Sequence, residues 1–372
     1  MTTLLVDARA PSGSGLGRYL RESLLALSAT GRFEEIVLAG PGSELAELRG
    51  AMAGRTRVLD LPFGRHDPRL LFRWPTIAAA VGRPHRIWFP HWAGAWRGAK
   101  GSAAPVTTVH DLIQLEGDGM RGAARAAIVA PWMRRMIAES RAVITGSDHA
   151  RGCILDRFPA ARGKVSVIPH GVSPHLFSSA AAPRSALETL GVTGPYLLAV
   201  ANKKPHKNLE MAIRVLARSS ATDPTLRLVL VGDRFPHVDR LRALARELGV
   251  LDRIVDLASI SDRWLALLYA HAEALLFPSR VEGFGLPVLE AMAAGAPVVA
   301  VDVPPIPSVV GEAGDIVPID DDAAMCAAVA RLRRESEWRA DRVAAGRARA
   351  REFTWERSAA SLADLLCGDV SA

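Results

Sequence analysis

Short apolar runs rich in β-branched residues alternate with amphipathic stretches along the whole of this 372-residue chain, and the series stops once and starts again. The first series predicts strands at 3–7, 35–39, 86–89, 106–110, 142–146 and 165–168, with helical patterns such as 18–27 and 121–140 between them. The second predicts strands at 196–200, 227–231, 254–256, 274–277 and 297–300, and helices at 209–219, 237–248, 262–270, 286–294 and 323–334. Strands that are apolar throughout and separated by helices belong to parallel sheets covered on both faces. Two such series predict an α/β protein of two doubly wound parallel-sheet domains. Between them Pro169, Gly171, Pro174, the Ser/Ala/Pro segment 178–185, Gly191 and Pro195 read as the end of one domain and a linker.

Length agrees with two domains, and with 49% apolar residues there is enough to build two cores. Cys153, Cys326 and Cys367 are odd in number and far apart, which suggests a reduced, cytoplasmic setting. The N-terminus carries no basic segment followed by a signal-length apolar region, and no apolar run is long enough to span a bilayer. Residues 1–175 hold 23 Lys/Arg against 14 Asp/Glu, a balance of +9, and the remainder holds 23 against 25, a balance of −2. A basic first half suits an anionic partner: nucleic acid, an acidic lipid surface or an anionic substrate. An Arg- and Ala-rich composition from a G+C-rich genome would give the same imbalance without function. Nucleic acid is disfavoured, since neither aromatic stacking platforms nor a recognised binding module are present.

The densest chemistry lies in Phe277 to Val299, where Glu282 and Glu290 stand eight positions apart around Gly283 and Gly285. A strand ending at Pro278, a glycine turn and a helix with Pro287 in its first turn would present backbone N–H groups and a positive dipole end to a phosphate. Carboxylates beside that turn are better suited to accept from ribose and sugar hydroxyls than to meet the phosphate. A surface glutamate pair flanking a strand–helix turn would read the same in isolation. The first strand of the second series leads into Ala201-Asn202-Lys203-Lys204-Pro205-His206-Lys207-Asn208. Ligands of open α/β sheets bind at such strand ends, and lysines there can stabilise a leaving diphosphate. A solvated basic loop is the plain alternative.

Elsewhere Gly13-Ser14-Gly15-Leu16-Gly17 falls between the first strand and helix and is either a glycine-rich phosphate turn or a tight connection. His110-Asp111 ends a strand, where a histidine can orient a hydroxyl or sit buried as a structural group. His91 is a weaker candidate of the same kind. Asp320-Asp321-Asp322 resembles a metal-binding run but reads as a helix start, acidic residues suiting a first turn. The stretch 121–140, with Met133, Arg134, Arg135, Met136 and Ile137, reads as a core helix with a solvated arginine face or as a contact with anionic membrane.

Together these segments resemble the retaining, nucleotide-sugar-dependent glycosyltransferases of family 4, in their mannosyltransferase-like branch. The resemblance runs in order through Asp7-Ala8-Arg9, Gly15-Leu16-Gly17-Arg18-Tyr19, Thr108-Val109-His110-Asp111-Leu112-Ile113, Ile144-Thr145-Gly146-Ser147, Val167-Ile168-Pro169-His170-Gly171-Val172, Lys204-Pro205-His206-Lys207-Asn208-Leu209, the Glu282 to Glu290 pair and Phe353-Thr354-Trp355-Glu356. It implies the GT-B fold, two Rossmann-like domains facing across a cleft. Residues 1–175 would form the acceptor-side domain, 176–353 the donor domain, and 354–372 a terminal helix crossing back. By the resemblance, Glu290 holds the ribose and Glu282 the donor sugar, with the N–H groups of Gly283, Phe284, Gly285 and Leu286 on sugar and phosphate. Lys207 holds the diphosphate. The second phosphate contact, an arginine in many members, falls to Lys203 or Lys204, with Lys204 preferred; a point charge then replaces a bidentate fork. Asn202 lines the donor side, His110 contacts the transferred sugar, and Gly15 and Gly17 border acceptor and phosphates. The family's usual Gly-Asn or Gly-Arg before the phosphate loop reads Ala201-Asn202 here, a departure that bears on loop geometry.

The expected reaction is transfer of a hexose to a hydroxyl of a glycan or lipid-linked glycan, without a metal or other cofactor, in bacterial surface polysaccharide synthesis. GDP-mannose is the favoured donor, with UDP- and dTDP-sugars as alternatives. The expected location is cytoplasmic, with peripheral contact at the inner face of the membrane as a further expectation. A sugar-nucleotide epimerase on the same fold and a non-catalytic nucleotide-sugar or polysaccharide-binding protein are the rival readings.

Overall fold

The apolar alternation resolves into two parallel sheets. The computed structural model describes residues 2–10, 14–61, 67, 70–82, 85–93, 103–116, 119–219, 223–233, 237–258 and 260–368. The chain divides into two units, Met1–Gly171 with Trp355–Ala372, and Val172–Thr354.

Among the described residues the first unit holds seven strands, β1 (Thr3–Asp7), β2 (Glu35–Gly40), β3 (Arg55–Asp60), β4 (Arg86–Phe89), β5 (Val106–Thr108), β6 (Ala142–Thr145) and β7 (Val165–Val167). Their order is β3-β2-β1-β4-β5-β6-β7, all pairs parallel. Leu5 pairs with Val37 on one side and Ile87 on the other. The order reverses direction between β1 and β4, which is where a doubly wound sheet opens a crevice at its carboxyl edge. The helix Trp355–Cys367 belongs to this unit, and Arg141 Nη2 donates to its last-turn carbonyls of Leu365 and Leu366, each at 2.7 Å. A cation on those orphan carbonyls stabilises the C-terminal end of the helix.

The second unit holds β8 (Tyr196–Val200), β9 (Arg227–Val231), β10 (Ile254–Leu257), β11 (Ala274–Phe277), β12 (Val298–Val301) and β13 (Asp315–Val317), in the order β10-β9-β8-β11-β12-β13, again parallel. Successive residues feed opposite cores. Leu198, Val229, Leu275, Phe277 and Val298 enter one cluster, while Leu197, Leu228, Leu276 and Val299 enter the other. A sheet buried on both faces has no polar face to alternate with, which is why these strands read as continuous apolar runs. Its switch point lies between β8 and β11.

Several boundaries differ from expectation. The strand expected over 106–110 ends at Thr108, so His110 lies in the loop beyond β5. The strand expected at 297–300 is Val298–Val301. Strands β3 and β13 escape the sequence pattern because neither carries an uninterrupted apolar run: β3 reads Arg-Thr-Arg-Val-Leu-Asp and β13 only Asp-Ile-Val. Arg55 and Arg57 on β3 instead face Glu35, each 3.4 Å from its carboxylate, and charged edge strands are a common defence against intermolecular pairing.

Candidate functional site

In the second unit, β8 and β11 end side by side at the switch point, and the loops that follow them carry the charged motifs. After β8 the chain makes a tight turn at Pro205–Lys207, where Lys207 N–H donates to the Lys204 carbonyl at 3.0 Å and Lys204 N–H to that of Asn202 at 2.9 Å. After β11, Gly285 takes φ 101° and the helix Leu286–Ala294 begins with Pro287 in its first turn. A β-carbon at Gly285 would fall 2.6 Å from Ile306 Cδ1 and would carry a backbone that side chains disfavour. The two loops are joined directly. Arg280 N–H donates to the His206 carbonyl at 2.8 Å. Lys207 Nζ lies 2.6 Å from Glu282 Oε1.

Glu290, one turn into the helix, is buried, and Tyr269 Oη donates to its Oε2 at 2.8 Å. A buried carboxylate is stable only with such donors. Gly283, Phe284 and Gly285 are buried, and Leu286 is partly buried. Phe284 packs edge-on against Phe353, with ring centroids 6.1 Å apart, so its side chain serves the core. Tyr269 is a candidate site residue that the sequence motifs miss. The signal for it is a tyrosine on the apolar face of a helix, since a buried phenol requires a polar partner.

Lys203, weighed against Lys204 for the second phosphate contact, is committed elsewhere. Its side chain is 1% exposed, and Nζ lies 2.8 Å from Asp256 Oδ1 and donates to the Gly232 carbonyl at 2.6 Å. Gly232 sits at φ 138°, where a β-carbon would stand 2.2 Å from the Ala201 carbonyl oxygen. Glycine at 232 therefore supplies the close approach beside the loop that begins with Ala201-Asn202.

In the first unit the glycine turn starts the helix Gly15–Ala29. Gly13 lies outside the described residues. Ser14 caps the helix by accepting from Gly17 N–H at 3.0 Å, so that amide is engaged by the cap. A β-carbon at Gly15 would meet no heavy atom within 4 Å, so space rather than crowding surrounds it. At the end of β1, Asp7 and Arg9 form a buried pair, Nε to Oδ1 at 2.7 Å and Nη2 to Oδ2 at 2.6 Å.

His110 donates from Nε2 to the Pro90 carbonyl at 2.9 Å, which orients the ring. Tyr19 meets it edge-on at 4.6 Å between centroids and lies 4.6 Å from His170. Tyr19 is buried, and that burial pushes its hydroxyl up to about 12. Trp355 stacks on the other side of His170 at 6.2 Å. Burial first, and the neighbouring His110 second, hold His170 well below its ordinary value. Asp111 Oδ1 accepts from Ile113 N–H and His91 Nδ1 from Ala93 N–H, both local turn contacts.

Of the acidic run, Asp321 caps the helix Asp322–Arg334 through Ala324 N–H at 2.8 Å, as a helix start requires. On the helix Gly119–Glu139, Met133, Met136 and Ile137 are buried, which removes them from any membrane contact; Met120 and Ile128 are 90% and 70% exposed. Among the described residues no helix is long and apolar enough to cross a membrane.

Two family models cover most of the chain: "Glycosyltransferase Family 4" matches residues 13–176 and "Glycosyl transferases group 1" residues 188–349. The O-antigen chain mannosyltransferase B of Escherichia coli is 28% identical over 366 residues, 92% of this chain and 93% of that protein. The D-inositol 3-phosphate glycosyltransferase of Acidothermus cellulolyticus is 32% identical over 274 residues, 68% of this chain but 59% of that protein. Among solved structures, sucrose-phosphate synthase from Thermosynechococcus elongatus superposes with a TM-score of 0.80 at 23% identity, covering 98% of each chain. Anabaena HepE in complex with UDP-glucose does so at 0.74 and 17% identity, again covering 98% of each. The matched families, the two parallel sheets and these structural neighbours agree: the chain belongs to the glycosyltransferases of the family 4 type and has their GT-B fold.

Proposed function

We propose that the protein transfers a hexose from a nucleotide sugar to a glycan hydroxyl with retention of configuration, and that mannose from GDP-mannose is the donor. The observation that carries this reading is the meeting of the lysine loop after β8 with the glutamate loop after β11, at the switch point where doubly wound sheets bind ligands. Lys204, Lys207 and the start of the helix Leu286–Ala294 supply positive charge for a diphosphate, so no metal is required for the departure of the leaving group. Glu290, held by Tyr269, accepts from the ribose, Glu282 from the sugar, and His110 is the candidate contact for the transferred hexose. The anomeric carbon–diphosphate bond breaks, the acceptor oxygen bonds to that carbon on the same face, and the acceptor proton passes to a diphosphate oxygen.

The choice of mannose leans on the similarity to the O-antigen chain mannosyltransferase B, which also favours a growing surface polysaccharide as acceptor. The neighbour solved with UDP-glucose makes UDP-glucose the competing donor. Contact with an anionic membrane would fall to Met120 and Ile128, flanked by Arg125, Arg134 and Arg135 on the exposed side of their helix.

A thermal-shift panel of GDP-mannose, UDP-glucose and a dTDP-sugar tests the donor, since a ligand above its dissociation constant raises the melting temperature. GDP-mannose should give the largest shift; a larger shift with UDP-glucose overturns the choice of sugar and base. Proton NMR of the product formed on a mannan-type acceptor reads the anomeric configuration, and an inverted product overturns retention.

A further inference from the structure

Among the described residues, two that are not glycine hold a left-handed backbone, Asn208 at φ 50° and Asp320 at φ 62°. They lie 112 positions apart in sequence and are bonded to each other: Asn208 Nδ2 donates to Asp320 Oδ1 at 3.0 Å. Asparagine and aspartate tolerate this conformation better than other side chains, but it persists only where the surroundings enforce it. The same carboxylate receives Arg280, from Nη2 at 2.6 Å and from Nε at 3.3 Å. Arg280 in turn holds the His206 carbonyl through its backbone N–H at 2.8 Å.

These contacts tie three loops at one edge of the sheet. Asn208 immediately follows Lys207 on the loop after β8. Arg280 stands two residues before Glu282 on the loop after β11. Asp320 lies on the loop after β13. Asp320 has no part in starting the helix beyond it, since Asp321 makes the cap and Asp322 pairs with Arg218.

We propose that Asp320 is a positioning residue for the donor diphosphate: by bridging Asn208 and Arg280 it sets where Lys207 and Glu282 stand. The inference rests on the donor-site reading of those two residues. A bridge of this kind acts on both loops at once, so its loss shifts the lysine relative to the glycine turn.

The test compares Asp320→Gly, Asp320→Asn and the wild type by calorimetric titration with GDP, UDP and the matching nucleosides. Glycine adopts φ 62° without strain and removes both acceptors, while asparagine restores an acceptor to Asn208 without the charge. Asp320→Gly should weaken diphosphate binding about three- to tenfold, the range of one to two partly exposed hydrogen bonds, and leave nucleoside binding unchanged. Asp320→Asn should recover part of the loss. If Asp320→Gly does not fold, Arg280→Met removes the other half of the bridge and should weaken diphosphate binding in the same direction. A folded variant of either kind that binds the diphosphate like the wild type overturns the proposal. Wild-type protein that binds neither GDP nor UDP overturns the donor-site reading, and this inference with it.

Discussion

Lys207 Nζ and Glu282 Oε1 stand 2.6 Å apart, with side chains only 16% and 9% exposed, and this contact joins the loop after β8 to the loop after β11. The cation proposed to hold a diphosphate and the carboxylate proposed to accept from a sugar hydroxyl are therefore each other's partner. A largely buried pair of this kind is stable while both members remain, and removing one leaves the other charge uncompensated.

That relationship separates two substitutions by diphosphate affinity, which should fall in Lys207→Met and should not fall in Glu282→Gln. Lys207→Met should lower turnover about a hundredfold, as expected for loss of a preorganised charge on the leaving group. Glu282→Gln should also lower turnover, yet it releases the lysine, so GDP or UDP alone should bind at least as tightly as to the wild type. Calorimetric titration of the free diphosphate separates the two. Weaker diphosphate binding in Glu282→Gln would show that the carboxylate orients the lysine rather than competes for it.

Tyr269 and Glu290 make a second pair, in which the phenol fills one carboxylate oxygen and aims the other. Tyr269→Phe removes a hydrogen bond to a charged acceptor, about 1.5–3 kcal/mol. The expected outcome is a rise in donor KM of about tenfold or more, from a misdirected Glu290, with a modest fall in melting temperature. Glu290→Ala should reduce turnover sharply while the fold survives. Normal donor KM in Tyr269→Phe would reduce the tyrosine to a structural partner.

Lys203 and Lys204 are adjacent in sequence and separate in surroundings. Lys203 is buried against Asp256 and the Gly232 carbonyl, whereas Lys204 is partly exposed on the loop. Lys203→Ala strands a mostly buried carboxylate, a change that costs about 3–5 kcal/mol in comparable pairs, and should appear as a large loss of melting temperature. Lys204→Ala should leave the melting temperature nearly unchanged and weaken diphosphate binding. A chemical denaturation curve beside a binding isotherm for each variant checks both halves; a stable Lys203→Ala protein with impaired binding would reverse the assignment.

How far these sites can be read from sequence depends on the range of the interaction. The strands Tyr196–Val200, Arg227–Val231 and Ala274–Phe277 are legible to the residue because burial on both faces leaves an uninterrupted apolar signal. Asp315–Val317 has three residues and opens on an aspartate, and loses that signal. Glu282 and Lys207 are legible as motifs, being next to glycine or other lysines, but their mutual contact is not. Lys203 and Lys204 are indistinguishable as letters; only the approach of Asp256, 53 positions away, separates them. Asp320 reads with its neighbours as a helix start, which holds for Asp321, because nothing local reveals a partner 112 residues upstream.

His170 supplies a pH prediction within the first unit. It is buried between Tyr19 and Trp355, with His110 at 5.4 Å between ring centroids. Burial, and then the His110 charge, disfavour its protonated form. Tyr19, whose hydroxyl is pushed up to about 12, stays neutral and offers no counter-charge. The folded protein therefore holds His170 neutral well below the unfolded value of about 6.5, while the unfolded chain binds a proton there. Stability contributed this way is fully present above about pH 6.5 and falls as the pH drops below it, by at most about 1.4 kcal/mol per pH unit for one proton. The fall continues until the depressed folded value is reached. Melting temperatures between pH 8 and pH 5 should decline on the acid side in the wild type. In His170→Gln, which cannot titrate, that part of the decline should disappear even if the variant is less stable overall. Parallel acid limbs in the two proteins would place the acid sensitivity elsewhere in the fold.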